Sequence, residues 1–206
     1  MDIATAAKLR ASLDAQELPD ASAWQNSPLI AFCADWRSEN PDPGRETGVQ
    51  LLWSPDRLFI RFRCRFRELF VYDGGNGRRD KLWLRDVAEV FIRPESGEAR
   101  QYKEFEISPN GDWLDLDIAS GQKSVLMCDL RSRVSIDHQS RIWIAELSIP
   151  FSCLTAAFDL REAWRVNFFR IEGPEPNRFY SSWRPTHTPQ PNFHVPEAFG
   201  HLKLEA

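Results

Sequence analysis

The chain has 206 residues, 42% hydrophobic and 27% charged, with a net charge of −4. That length supports one core-forming domain rather than two, in a composition ordinary for a globular protein. The mildly acidic balance argues against nucleic acid as a partner, and no run nears the roughly twenty apolar residues of a membrane-spanning helix.

The start, MDIATAAKLR, carries an acid at position 2 and no apolar core, so it does not read as a secretory signal. Without one, the sequence reads as a cytoplasmic protein or an excised domain of an exported one. Residues 3–17, rich in Ala and Leu, predict a short amphipathic helix or a flexible tail. A boundary near residue 19 would set this segment apart from a domain over 20–206. Residues 19–47 hold Pro, Asp, Asn and Ser, and predict irregular chain with a short strand at Leu29–Phe32.

From residue 48 the apolar period becomes two. Segments 48–53 and 57–66 predict a hairpin around the turn Ser54-Pro55-Asp56-Arg57. In the second strand Leu58, Ile60, Phe62, Cys64 and Phe66 oppose Arg61, Arg63, Arg65 and Arg67. A glycine-rich loop, YDGGNGRRD, follows. Strands are then predicted over 86–93, 101–108, 113–118, 125–136, 141–149, 164–171, 178–183 and 200–205, with a helical turn near Phe151 and an irregular Pro-rich loop at 185–196. About eight to eleven short strands without alternating helices predict an all-β, two-layer antiparallel sandwich. Trp53, Trp83, Trp113 and Trp143 recur every thirty residues, but the segments between them share no pattern, so no repeat is read.

The face of the strands turned from the core carries Arg61, Arg63, Arg65, Glu89, Glu104, Glu106 and Arg170. Two functions fit such a face. One is a cross-strand ladder of opposite charges. The other is a hydrogen-bonding floor for a sugar, whose hydroxyls pair with carboxylates and guanidinium groups while its C–H face rests on an indole. Eight tryptophans are more than a small core needs, and Trp83 and Trp183 sit beside loops, where binding groups concentrate.

Four stretches resemble the family 9 carbohydrate-binding modules: GVQLLWSPDRLFIRF from Gly48, WLRDVAEVFIRP from Trp83, YKEFEISPNG from Tyr102, and the set WRVNFFRI, YSSWRPT and NFHVPEAFG toward the end. The resemblance spans about residues 20–205 and implies a jelly-roll-like sandwich that binds sugars without cutting them. Its ligands would be mono- or oligosaccharides, including polysaccharide chain ends. It implies Trp83 and Trp183 as the two aromatic plates, with Glu89, Glu104 and Glu106 as polar contacts; the charged sheet face and the neighbouring turn add Arg63, Arg170 and Asn110 to the candidate ligand-binding set. Binding members carry arginine and asparagine on the strand where this chain has Lys103, Glu104 and Glu106. Structural calcium is frequent in the family, and loop 73–86 would be its place here, although no EF-hand spacing is present.

Other chemistries leave weaker traces. Carboxylate pairs such as Glu104/Glu106 and Asp115/Asp117 raise glycoside hydrolysis, but any solvated strand supplies such pairs. His187 and His194 share a loop that would suit a metal, and Met127 with His138 would suit haem in a related sandwich group, although Met127 reads as core. Cys33, Cys64, Cys128 and Cys153 are scattered and read as reduced thiols, with two disulfides in an exported protein as the alternative. The oligomeric state is left open.

Overall fold

The computed structural model describes residues 3–10 and 18–205. Its strands are β1 (Ile3–Lys8), β2 (Ile30–Phe32), β3 (Thr47–Trp53), β4 (Arg57–Arg65), β5 (Val87–Pro94), β6 (Gln101–Ile107), β7 (Trp113–Ala119), β8 (Gln122–Val125), β9 (Arg131–Asp137), β10 (Ile142–Pro150), β11 (Trp164–Glu172), β12 (Phe179–Ser182) and β13 (Gly200–Leu204). A single helical turn, α1 (Phe151–Leu154), joins β10 to the segment before β11.

Hydrogen bonding runs along one curled sheet in the order β8-β7-β6-β5-β11-β13-β1-β3-β4-β10-β9, with β12 on β11 and β2 on β3. Contact between β11 and β13 is brief, from Trp164 to Val166. The sheet folds there, so β5, β6 and β11 lie over β3, β4 and β10. Between the layers Val49, Leu51, Ile60, Phe62, Trp143, Ala145 and Leu147 meet Ala88, Val90, Ile92, Phe105, Ile107, Val166 and Phe168 in one buried cluster. These are alternate residues of each strand, as a two-layer sandwich demands. Burying each large apolar side chain contributes about 1.5–3 kcal/mol.

Several expectations are corrected. Residues 3–8 form a strand, not a helix; the rest of the expected helix, 11–17, lies outside the described residues. Ala4 and Ala6 are fully buried in a slot too narrow for a helix, between β13 and β3. Both neighbours of β1 run parallel to it, so the sheet is not wholly antiparallel. The single strand expected over 125–136 is two, because the chain turns between β8 and β9 at Met127, where φ is +58°.

A further correction concerns cysteine. Cys128, in that turn, is joined to Cys153 of α1 by a disulfide with Cα atoms 5.9 Å apart, while Cys33 and Cys64 carry free thiols. Met127 beside it is 78% exposed, not core.

A second apolar cluster covers the outer face of the β5–β6–β7–β11 layer. Val87, Phe91, Tyr102, Leu114, Leu116, Ile118, Phe169 and Ile171 form it, with Leu82, Phe193 and Phe199 laid over them by loops. A sheet face turned from the main core is usually polar. Here it is apolar and roofed, and the candidate site lies at the margin of the roof.

Candidate functional site

The floor of the site is made by β5 and β6. Glu89 pairs with Glu106 across the two strands, and Phe91 pairs with Glu104. Residues two apart on a strand share a face, so the three carboxyls stand together on the outer side. All three are buried. No N–H or hydroxyl group of the described residues reaches Oε1 of Glu89, Oε2 of Glu104 or either oxygen of Glu106, although a protonated Glu106 donates to the Glu104 carboxylate. Burial, then the charge of Glu104, pushes the Glu89 carboxyl well above its usual range. Burial, then Glu89 and Glu104, does the same to Glu106, and burial raises Glu104. Like charges this close in a dry setting disfavour ionisation.

Three loops build the walls. Trp83 lies in a 3-10 turn, Leu82–Leu84, whose carbonyls are held from outside. The Arg178 guanidinium donates to the carbonyls of Trp83, Leu84 and Arg85, at 3.1 Å for the last two. Asp86 anchors the base of the same loop, accepting from the Phe70 amide at 3.1 Å and the Gly173 amide at 2.6 Å. Tyr180 arrives on β12, its ring 6.2 Å from that of Phe193. The Pro-rich loop supplies Asn192, Phe193 and His194. His194 stacks on Phe91 at 5.3 Å, and its Nδ1 lies 2.6 Å from the Tyr102 hydroxyl. Burial and nearby Lys123 hold the His194 pKa down to about 4, so the ring is neutral at pH 7 and shares a hydrogen bond with the Tyr102 hydroxyl.

These groups enclose a cavity of about 160 Å³ lined by Trp83, Glu89, Phe91, Glu104, Tyr180 and His194, among others. A second cavity of about 370 Å³ adjoins it, bounded by Arg100, Tyr102, Ile118, Gly121 and Glu197. Lys123 and His194 line both. Lys123 reaches in from β8, where it pairs with Ile118. Its Nζ stands 4.5 Å from the Trp83 ring centroid and 4.0 Å from Glu104 Oε2.

The expected site residues divide. Trp83, Glu89, Glu104 and Glu106 come together on the outer face. Trp183 does not face Trp83. It stacks on Phe168 at 5.6 Å and packs with the inter-layer cluster, whereas Trp83 packs with the outer one. Arg170 points between the layers, fully buried, with its guanidinium 5.0 Å from the Trp143 ring and 3.2 Å from Glu172 Oε2. It follows Phe169, and period two turns it inward. Arg63 is exposed on the far side of the other layer, opposite Gly48 and Ile144. Its neighbour Arg61 makes the charge ladder instead, with Nε 2.8 Å from Glu146 Oε1 across the strands. Asn110 braces the glycine-rich loop, donating to the carbonyls of Tyr72 at 3.0 Å and Gly74 at 3.2 Å.

Sequence reasoning missed Tyr180, Lys123 and the place of His194 in this cleft. The last was legible, since His194 lies in the stretch NFHVPEAFG. Lys123 had no signal in an irregular stretch.

Among the described residues no three His, Cys, Asp or Glu side chains gather so as to hold a metal ion. Beside the loop expected for calcium, the Asp112 carboxylate is engaged by Arg79 at 2.5 Å and Asn110 at 2.9 Å. His138 lies edge-on to Phe66 rather than in a haem cleft. No helix of the described residues is long and apolar enough to cross a membrane.

No protein-family profile matches the sequence. An "Extracellular protein" of Arthroderma benhamiae is 22% identical over 188 residues, covering 83% of each chain. A protein of Bacteroides uniformis, described provisionally as carbohydrate-binding, superposes with a TM-score of 0.78 at 17% identity and covers 99% of both chains. A family 9 carbohydrate-binding module of Caldicellulosiruptor kristjanssonii, in complex with cellotriose, superposes with a TM-score of 0.66 at 13% identity, covering 98% of this chain and 93% of that one. The same organism's module with glucose gives 0.65 at 14% identity, over 98% and 95%. The chain thus has the all-β fold of the family 9 carbohydrate-binding modules.

Proposed function

We propose that the protein binds carbohydrate, without cleaving it, in the cleft between Trp83, Tyr180 and His194. The observation that carries this reading is the pairing of an aromatic wall with buried carboxyl oxygens that lack donors. Sugar hydroxyls supply such donors, and Trp83 offers the flat apolar surface that a pyranose C–H face needs. The fold neighbours that hold cellotriose and glucose support a mono- or oligosaccharide ligand, chain ends included.

The reading is non-catalytic because the acidic residues lining the Trp83 cavity, Glu89 and Glu104, rise from one floor. Glycoside hydrolysis needs carboxyls on either side of the scissile bond, roughly 5–9.5 Å apart. An exported setting is part of the reading. The Arthroderma relative is named extracellular, and the Cys128–Cys153 disulfide suits an oxidising compartment.

Titration with mono- and disaccharides, followed by tryptophan fluorescence and calorimetry, tests the proposal. Saturable binding that is lost in Trp83→Ala supports it. Binding that survives in that variant moves the site elsewhere, and release of reducing sugar from an oligosaccharide overturns the non-catalytic part.

A further inference from the structure

Lys123 occupies the place a ligand would take. Its ammonium lies over the Trp83 ring at 4.5 Å and beside the Glu104 carboxyl at 4.0 Å, with the Glu104 side chain 3% exposed. It comes from a four-residue edge strand whose residues are all exposed, so its stem is not held by packing. It also stands where the two cavities meet. At about 160 Å³ the Trp83 cavity alone is below the usual size of a ligand site, which is about 300–1,000 Å³. With Lys123 withdrawn, it opens into its neighbour of about 370 Å³.

The ground beneath Lys123 holds unmet acceptors. Glu89 and Glu104, which line the Trp83 cavity, each have a buried oxygen without a hydrogen-bond partner. No other lysine or arginine lines the Trp83 cavity. Arg178, the nearest guanidinium to act on Glu89, is committed to the carbonyls of the Trp83 loop. Withdrawing Lys123 therefore leaves the Trp83 cavity with an aromatic face and two carboxyls but no cation in its lining. Both attract an ammonium group, the ring through its quadrupole and the carboxyls through charge-assisted hydrogen bonds.

We propose that Lys123 is a built-in cation that closes the cleft, and that the ligand which displaces it is an amino sugar with a free ammonium group. The proposal rests on the sugar-binding reading and narrows it. A neutral sugar would have to leave Glu104 without the ammonium that stands beside it, whereas an amino sugar replaces one ammonium by another. The aromatic wall still takes the ring.

Calorimetry with the whole chain tests this at about pH 6, where an amine of this kind is protonated. Glucosamine and its β-1,4-linked dimer are compared with N-acetylglucosamine, glucose and cellobiose. Preference for the free amines by about tenfold is expected. Lys123→Ala should tighten glucosamine binding further, and Glu104→Gln should erase the preference while the variant still melts cooperatively. Equal affinity for glucosamine, N-acetylglucosamine and glucose overturns the proposal and leaves the sugar-binding reading intact. Weaker glucosamine binding in Lys123→Ala also overturns it. Absence of binding by every sugar, in the parent and in Lys123→Ala, overturns both.

Discussion

Glu89 and Glu106 stand directly opposite one another on β5 and β6, both buried, with no N–H or hydroxyl group of the described residues reaching either oxygen of Glu106. Their carboxyls are raised above the usual range, so the folded state favours the protonated form. The sign follows from linkage. Such a group contributes stability that is fully present below the unfolded carboxylate range, near pH 4.3, and is lost as pH rises through the folded value. Lys123, Arg178, His194 and Tyr102 are the other titratable or charged groups around the cluster, and His194 stays neutral throughout that rise. Glu106→Gln, which removes one ionisation, should flatten the fall in Tm between about pH 5 and pH 8. Parallel melts of parent and variant over that range check it, and identical slopes would show that the cluster ionises freely.

Trp83 and Trp183 should respond oppositely to truncation. Trp83→Ala should abolish the sugar-induced fluorescence change with little loss of stability. Trp183→Ala should keep binding but lose about 2 kcal/mol, since its ring packs on Phe168 in the inter-layer cluster. Urea melts and sugar titrations on both variants separate the two roles.

Arg178 positions Trp83 without touching the cavity, through its hydrogen bonds to the loop carbonyls. Arg178→Ala should weaken sugar binding by about tenfold, because charged hydrogen bonds contribute about 1.5–3 kcal/mol each in ordering such a loop. Calorimetry beside a thermal melt reads this, with the melt shifting little. Arg178→Lys should recover only part of the loss, since one ammonium cannot match a planar fork across three carbonyls.

Removal of residues 1–8 should destabilise the whole domain by at least about 3 kcal/mol, since β1 supplies ladder bonds to both β13 and β3. An appendage outside the sandwich would leave Tm unchanged. Comparing the melts of the two chains decides it.

The Cys128–Cys153 disulfide closes a loop with a sequence separation of 25, which corresponds to about 3 kcal/mol of stabilisation. Cys153→Ser should lower the urea midpoint accordingly. Dithiothreitol should lower the parent's midpoint and leave the variant's unmoved.

Strand periodicity made the sandwich legible, because a half-buried strand writes its two faces into alternate residues. Leu58, Ile60 and Phe62 against Arg61 and Arg63 is such a record, as is Phe105 against Glu104 and Glu106. That pattern also put Glu89, Glu104 and Glu106 on one face, since two residues apart on a strand is a local relation. The sequence left β1 unread because Ala-rich chain suits a helix locally, and only the slot between β13 and β3 makes it a strand. Which layer a charged face belongs to is also a matter of tertiary structure. Arg63 shares the period of Glu89 yet lies on the other side of the molecule, and Arg170 turns inward where its neighbours turn out. Trp183 was separated from Trp83 for the same reason, and Lys123 was brought over Trp83 by the β7–β8 hairpin. Periodicity fixes which side of its own strand a residue takes. The folding of one sheet over itself decides which of those sides meet.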